Sequence, residues 1–150
     1  MWLLAFAWLL AGCATNPVSG ESDFVLMSEQ QEIALGQRYN SEILKDMPAY
    51  EDRKLTAMVQ SIGEELAAHS HRSGLDYRFT IVDSPNVNAF ALPGGYIYIT
   101  RGMLAYLNSE AELAAVLGHE IGHVTARHSV RQHRTEATAN MKSAVVWVTI

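Results

Sequence analysis

A chain of 150 residues, 49% of them apolar and 18% charged, has room for one domain with a modest core. Its formal charge of −5 argues against a nucleic-acid partner, which asks for a basic surface. With a single cysteine, Cys13, it can form neither an internal disulfide nor a C-x-x-C metal site.

Met1 to Ala11 is almost wholly apolar. This run of about a dozen residues falls short of the roughly 20 that a helix needs to span a bilayer. Its length is that of a signal-peptide core, and small residues suited to cleavage follow it. No Lys or Arg precedes the run, which departs from the usual signal pattern. Leu10-Ala11-Gly12-Cys13 resembles the bacterial lipobox, whose cysteine receives a lipid and becomes the new N-terminus. Residues 1–12 are therefore expected to be a lipoprotein signal peptide and 13–27 a lipidated N-terminus and tether. Ala14 lacks the aspartate that retains such proteins in the inner membrane. The resemblance thus implies anchoring through Cys13 to the periplasmic side of the outer membrane of a Gram-negative bacterium.

Ser28 opens a helix, and Gln31 three residues on completes a capping box. Ile33, Tyr39, Ile43, Leu44 and Met47 supply its apolar face before Pro48 ends it. A second helix is predicted from about Glu51 to Ala68, with Leu55, Met58, Val59, Ile62 and Leu66 at helical spacing. His69 and His71 read as solvated side chains at its C-terminus, where cations are favoured.

From Tyr77 the period changes to two. Residues 77–83 form a strand, 84–86 a turn, and Val87 to Leu92 a second extended segment. Pro93-Gly94-Gly95 turns the chain into a third strand, 96–100, so the last two strands read as a hairpin. A short helix over 101–107 precedes Ser109-x-x-Glu112, a second capping box.

The helix that box opens carries His119-Glu120-Ile121-Gly122-His123, an H-E-x-x-H pattern. Histidines four apart share one helix face and can grip one ion through neutral nitrogens. Glu120 lies about 100° further round, so it flanks the metal as a carboxylate base. On a helical wheel Leu113, Leu117, Ile121 and Val124 form the core stripe. Ala111, Ala115, Gly118, Gly122 and Ser129 make a small-residue face, predicted to receive a closely packed strand or helix. Almost no face is polar, so the helix is expected to be central and buried. On an unbroken helix His128 falls about 140° from His123, beside Leu117 and Ile121, as a core or second-shell histidine. Arg127, Arg131, His133 and Arg134 read as a solvated basic face.

The combination N-A-F-A-L-P-G-G-Y-I-Y-I-T-R-G, then a capped helix with H-E-I-G-H-V-x-x-R-H, resembles metallopeptidase family forty-eight. The lipobox and Asn16-Pro17-Val18-x-Gly20 point to its periplasmic branch. The resemblance covers roughly residues 16 to 135. It implies an α+β fold, a partial gluzincin core with helices around a short three-stranded sheet and a central H-E-x-x-H helix. It also implies one zinc ion held by His119 and His123, with Glu120 catalytic. Asn88, Ala89, Phe90 and Ala91 would be an edge strand that holds an extended peptide across the metal. The reaction so implied is hydrolysis of internal peptide bonds in misfolded or misassembled cell-envelope proteins.

A catalytic zinc usually has three protein ligands and an open position. The family's third ligand is a glutamate in an E-x-x-x-D motif several dozen residues after the histidines. Glu136 lies too near and has no aspartate four residues on. Residues 28–150 are accordingly expected to be the N-terminal part of a metallopeptidase domain, with the third ligand beyond Ile150. Weak zinc binding and little caseinolysis follow from two ligands. The alternative is a catalytically incomplete fragment acting at most as a zinc-poor lipoprotein interaction module.

Overall fold

The computed structural model describes residues 27–130, together with the backbone of β1 (Ala14–Thr15) and β2 (Ser22–Asp23). The expected signal peptide, Cys13 and everything after Val130 (Arg131, His133, Arg134 and Glu136 included) lie outside the described residues. Within the span expected to be a tether, β1 and β2 pair antiparallel, Ala14 against Asp23 and Thr15 against Ser22. No helix among the described residues is long and apolar enough to cross a membrane.

The first helix, α1 (Glu29–Asp46), starts where its cap predicts. Ser28 Oγ accepts from Gln31 N–H at 3.2 Å, and Gln31 Oε1 accepts from Ser28 N–H at 2.8 Å. Helix α2 (Arg53–Ala68) starts two residues later than its periodicity suggested, because Asp52 Oδ1 accepts the Lys54 and Leu55 N–H groups.

Three strands form a mixed sheet in the order β3 (Arg78–Val82), β5 (Tyr96–Thr100), β4 (Ala89–Leu92). β3 runs parallel to β5 and β4 antiparallel to it, with Phe90 opposite Tyr98. Their rings stack at 4.8 Å. All five residues of β5 are buried, so its alternating side chains serve two cores. Tyr96 and Tyr98 pack with Leu35, Tyr39 and Ile43 of α1 on one face. Ile97 and Ile99 pack with Val59 and Ala67 of α2 and with Leu113, Leu117, Ile121 and Val124 on the other. The result is a three-layer α+β arrangement of helices around a three-stranded sheet.

The hairpin turn is wedged against α1. Gly94 and Gly95 have φ of 77° and 91°, a region costly for any residue with a β-carbon. A β-carbon at Gly94 would lie 2.8 Å from Ile33 Cα, and one at Gly36 of α1 only 2.0 Å from the Pro93 carbonyl oxygen. That close approach fixes the end of β4 relative to α1. After β5, the short helix α3 (Arg101–Tyr106) leads to α4 (Glu110–Thr125), which packs on α2 and β4.

Candidate metal centre

Helix α4 is held at its start by Ser109, whose Oγ accepts Glu112 N–H at 3.2 Å. The reciprocal half of the expected box is displaced by one residue: Glu112 Oε2 accepts from Asn108 N–H at 2.7 Å. The rotation of α4 is set by Leu113, Leu117, Ile121 and Val124, all buried as the wheel predicts.

That rotation brings His119 and His123 side by side on the flank, with their Nε2 atoms 3.0 Å apart. A tetrahedral zinc with Zn–N bonds of about 2.0–2.1 Å spaces two nitrogens by roughly 3.3 Å, so a small opening of the pair suffices to chelate. Potential ligand atoms of His119, Glu120 and His123 all lie within 4.8 Å of one another. Among the described residues this is the one such group of three or more His, Cys, Asp and Glu side chains.

Glu120 is only 1% exposed, and its Oε1 is buried without a hydrogen-bond partner among the described residues. Burial pushes its carboxyl up to about 7, since the charged form loses its hydration. Burial is also the main reason the His123 pKa falls, and the neighbouring imidazoles His119 and His128 add to it. His123 is thereby held in the neutral form that ligates metals. Two imidazoles on one helix face, beside a buried carboxyl with an orphaned oxygen, fit a zinc site.

β4 lies at an edge of the sheet above this helix. Thr100 N–H donates to the Asn88 carbonyl at 3.0 Å, which sets the phase of the ladder. Asn88, Phe90 and Leu92 therefore turn their backbone groups toward β5, and Ala89 and Ala91 turn theirs outward. Ser129 Oγ reaches the outward Ala91 carbonyl at 3.2 Å. Thr100 Oγ1, itself buried, accepts from Asn88 N–H and fixes the entry to the strand. Asn88 Oδ1 is the second buried polar atom without a partner among the described residues.

Three expectations around α4 fail, each for a physical reason. The helix is not continuous through His128: it ends at Thr125, and Arg127 adopts φ of 54° before the chain turns helical again. The core half of the expectation for His128 therefore fails, since it is exposed rather than beside Leu117 and Ile121, whereas its Nδ1 does lie 2.7 Å from His123 Nδ1. Arg127 is not on a solvated face. Its side chain is 10% exposed and pairs with Glu32 through Nη2 at 2.8 Å. Finally, nothing described packs on the small-residue face, where a β-carbon at Gly118 or Gly122 would meet no atom within 4 Å. That face instead lines an open groove with Leu66, Ser70 and His71. His69 and His71 are exposed, as read.

Sequence reasoning also missed the partners of Arg127. Glu32 of α1, 1% exposed, accepts from Arg72 Nη1 at 2.9 Å, Arg127 Nε at 2.9 Å and Gly94 N–H at 3.3 Å. Arg72 Nη1 also donates to the Val124 carbonyl at the end of α4. The only available signal was an unexplained carboxylate on the apolar side of α1.

A helical imidazole pair flanked by a buried carboxylate is the arrangement of metal-dependent hydrolases. Comparison with known proteins narrows that class: residues 53–149 match Peptidase family M48, and the chain belongs to that family. It is similar to the "Beta-barrel assembly-enhancing protease" of Yersinia pestis, 35% identical over 115 residues, covering 77% of this chain and 24% of that protein. The protein of the same name from Escherichia coli (strain K12) is 32% identical over 117 residues, covering 78% and 24%. "Mitochondrial metalloendopeptidase OMA1" of Arabidopsis thaliana is 48% identical over 62 residues, 41% of this chain and 13% of its own length. The chain spans about a quarter of the length of the two bacterial relatives.

Proposed function

We propose that this chain carries the catalytic His-Glu-His part of a zinc metalloendopeptidase with a gluzincin core, acting on cell-envelope proteins. The observation that carries the reading is the buried Glu120 carboxyl, its Oε1 without a partner among the described residues, on the same helical turn as two imidazoles with adjacent Nε2 atoms. His119 and His123 would hold the zinc through Nε2. When bound, zinc supplies Lewis acidity, which polarises a carbonyl and lowers the pKa of water.

Glu120 accepts the proton of the attacking water as its oxygen bonds to the scissile carbonyl carbon. The same carboxyl then returns the proton to the amide nitrogen as the C–N bond breaks. β4 orients the substrate: the outward N–H groups of Ala89 and Ala91 and the outward Ala89 carbonyl receive an extended peptide as an added strand. Asn88 Oδ1, buried and without a partner among the described residues, adds an acceptor at the start of the same strand.

The names of the two bacterial relatives, each a beta-barrel assembly-enhancing protease, support substrates among envelope proteins in assembly. On this reading residues 1–12 are a signal peptide and residues 13–27 a tether lipidated at Cys13. Residues 28–150 then carry the peptidase part on the periplasmic side of the outer membrane. The test is competition for zinc between the full chain and a chromophoric chelator, alongside hydrolysis of unfolded casein. The expected result is zinc binding that disappears in H119A and H123A but survives in E120Q, with any casein hydrolysis lost in E120Q. Zinc binding indifferent to both histidines would overturn the reading.

A further inference from the structure

The strongest unabsorbed feature is the contact between His123 and His128, made possible by the break in α4. Resting on the zinc reading above, we propose that His128 is a positioning residue that fixes the orientation and tautomer of His123. The Glu32–Arg127 ion pair would be the device that brings it there.

Nδ1 atoms 2.7 Å apart make a hydrogen bond only when one nitrogen carries the proton and the other accepts it. His123 Nε2 faces His119 Nε2 at 3.0 Å and is the nitrogen placed to ligate. A ligating Nε2 offers its lone pair, so the proton of neutral His123 sits on Nδ1. That N–H donates to His128 Nδ1, and His128 then carries its own proton on Nε2. A metal-bound histidine is normally oriented this way by an acceptor on its other nitrogen.

His128 reaches this place only because the chain leaves the helix. An α-helix continued past Thr125 would carry residue 128 about 140° away from His123. Instead Arg127 takes φ of 54°, without glycine's freedom to do so. Its guanidinium is held at that point by Glu32 Oε2 at 2.8–2.9 Å and by the Met27 carbonyl at 3.0 Å. The residue after the break is His128. The ion pair thus joins α1 to the exit of α4 and sets where the acceptor stands.

The test measures zinc affinity of the full-length wild type, H128A and H128N by chelator competition, with metal-free stability by denaturant melts. His128 is exposed, so neither substitution should move the metal-free midpoint appreciably. H128A is expected to lose about 10- to 100-fold in zinc affinity. H128N, whose amide oxygen can accept from His123 Nδ1–H, should recover most of that loss. Nitrogen NMR of the zinc-loaded wild type should show His123 protonated at Nδ1, with a hydrogen-bonded proton shift that H128A removes. Unchanged affinity in H128A, while H119A and H123A still abolish binding, would overturn the positioning role alone. Loss in H128N equal to that in H128A would overturn it too, in favour of direct ligation by His128. Binding indifferent to His119 and His123 would overturn both this role and the zinc reading.

Discussion

Two carboxylates, Glu32 of α1 and Glu120 of α4, are each 1% exposed, yet their surroundings are opposite. Glu32 is saturated: Arg72 and Arg127 both donate to it, and Gly94 N–H closes on Oε1. Among the described residues no cation pairs with Glu120, and its Oε1 has no partner. A buried charge with every lone pair occupied holds structure, because nothing is left to react. A buried carboxyl with a bare oxygen has lost hydration without compensation, and its pKa rises to about 7. The first ties three elements together. The second is kept open for chemistry beside two imidazoles.

Removing Glu32 tests the saturated side and should have the largest effect. E32A leaves the Arg72 and Arg127 guanidiniums, 9% and 10% exposed, without their shared counter-charge. Loss of one member of a buried ion-paired set costs about 3–5 kcal/mol. Urea melts of the full chain should show a midpoint shift of that size. A loss below about 1 kcal/mol would mean the cluster is solvated and the contrast with Glu120 is false.

The open side predicts a pH dependence of the metal-free chain. The Glu120 carboxyl titrates near 4.5 when unfolded and near 7 when folded, so the unfolded state releases its proton first. Any stability from folding the neutral carboxyl is fully present below pH 4.5 and is lost as pH rises toward 7. The slope is at most about 1.4 kcal/mol per pH unit. The informative quantity is the difference between wild type and E120Q, which isolates the Glu120 carboxyl from the other groups. Wild type should lose ground to E120Q from pH 4.5 to 7 and run parallel above it. A flat difference across that range would show Glu120 to be hydrated or paired.

Local patterns made much of this legible in the sequence. The Ser28–Gln31 box, the Pro93–Gly95 turn and the stripe from Leu113 to Val124 are short-range signals, and each element formed where they point. The H-E-x-x-H spacing likewise placed His119, Glu120 and His123 on one turn. What stayed hidden depends on partners far apart in the chain. Glu32 and Arg127 are 95 residues from each other, and neither carries a mark that predicts the other. The break at Arg127 has no glycine or proline to announce it, so a helical wheel continued in phase puts His128 on the wrong face. Gly118 and Gly122 misled in another way, since small residues suit an open groove as well as a tight contact.

The smallest effect concerns that unannounced break. If the ion pair to Glu32 holds Arg127 in a left-handed conformation against its own preference, two substitutions should separate the terms. R127A removes the guanidinium and keeps a β-carbon in the costly region. R127G removes the same guanidinium but makes φ of 54° free of steric cost. The left-handed region costs an L-residue roughly 1–2 kcal/mol, partly offset by the extra entropy glycine brings to the unfolded chain. R127G should therefore be the more stable of the two by about 1 kcal/mol in urea melts, with both below wild type. Equal stability would mean that the chain resumes a helical φ once the guanidinium is gone. The ion pair with Glu32 would then create the break rather than only hold it, and His128 should swing away from His123 in both variants.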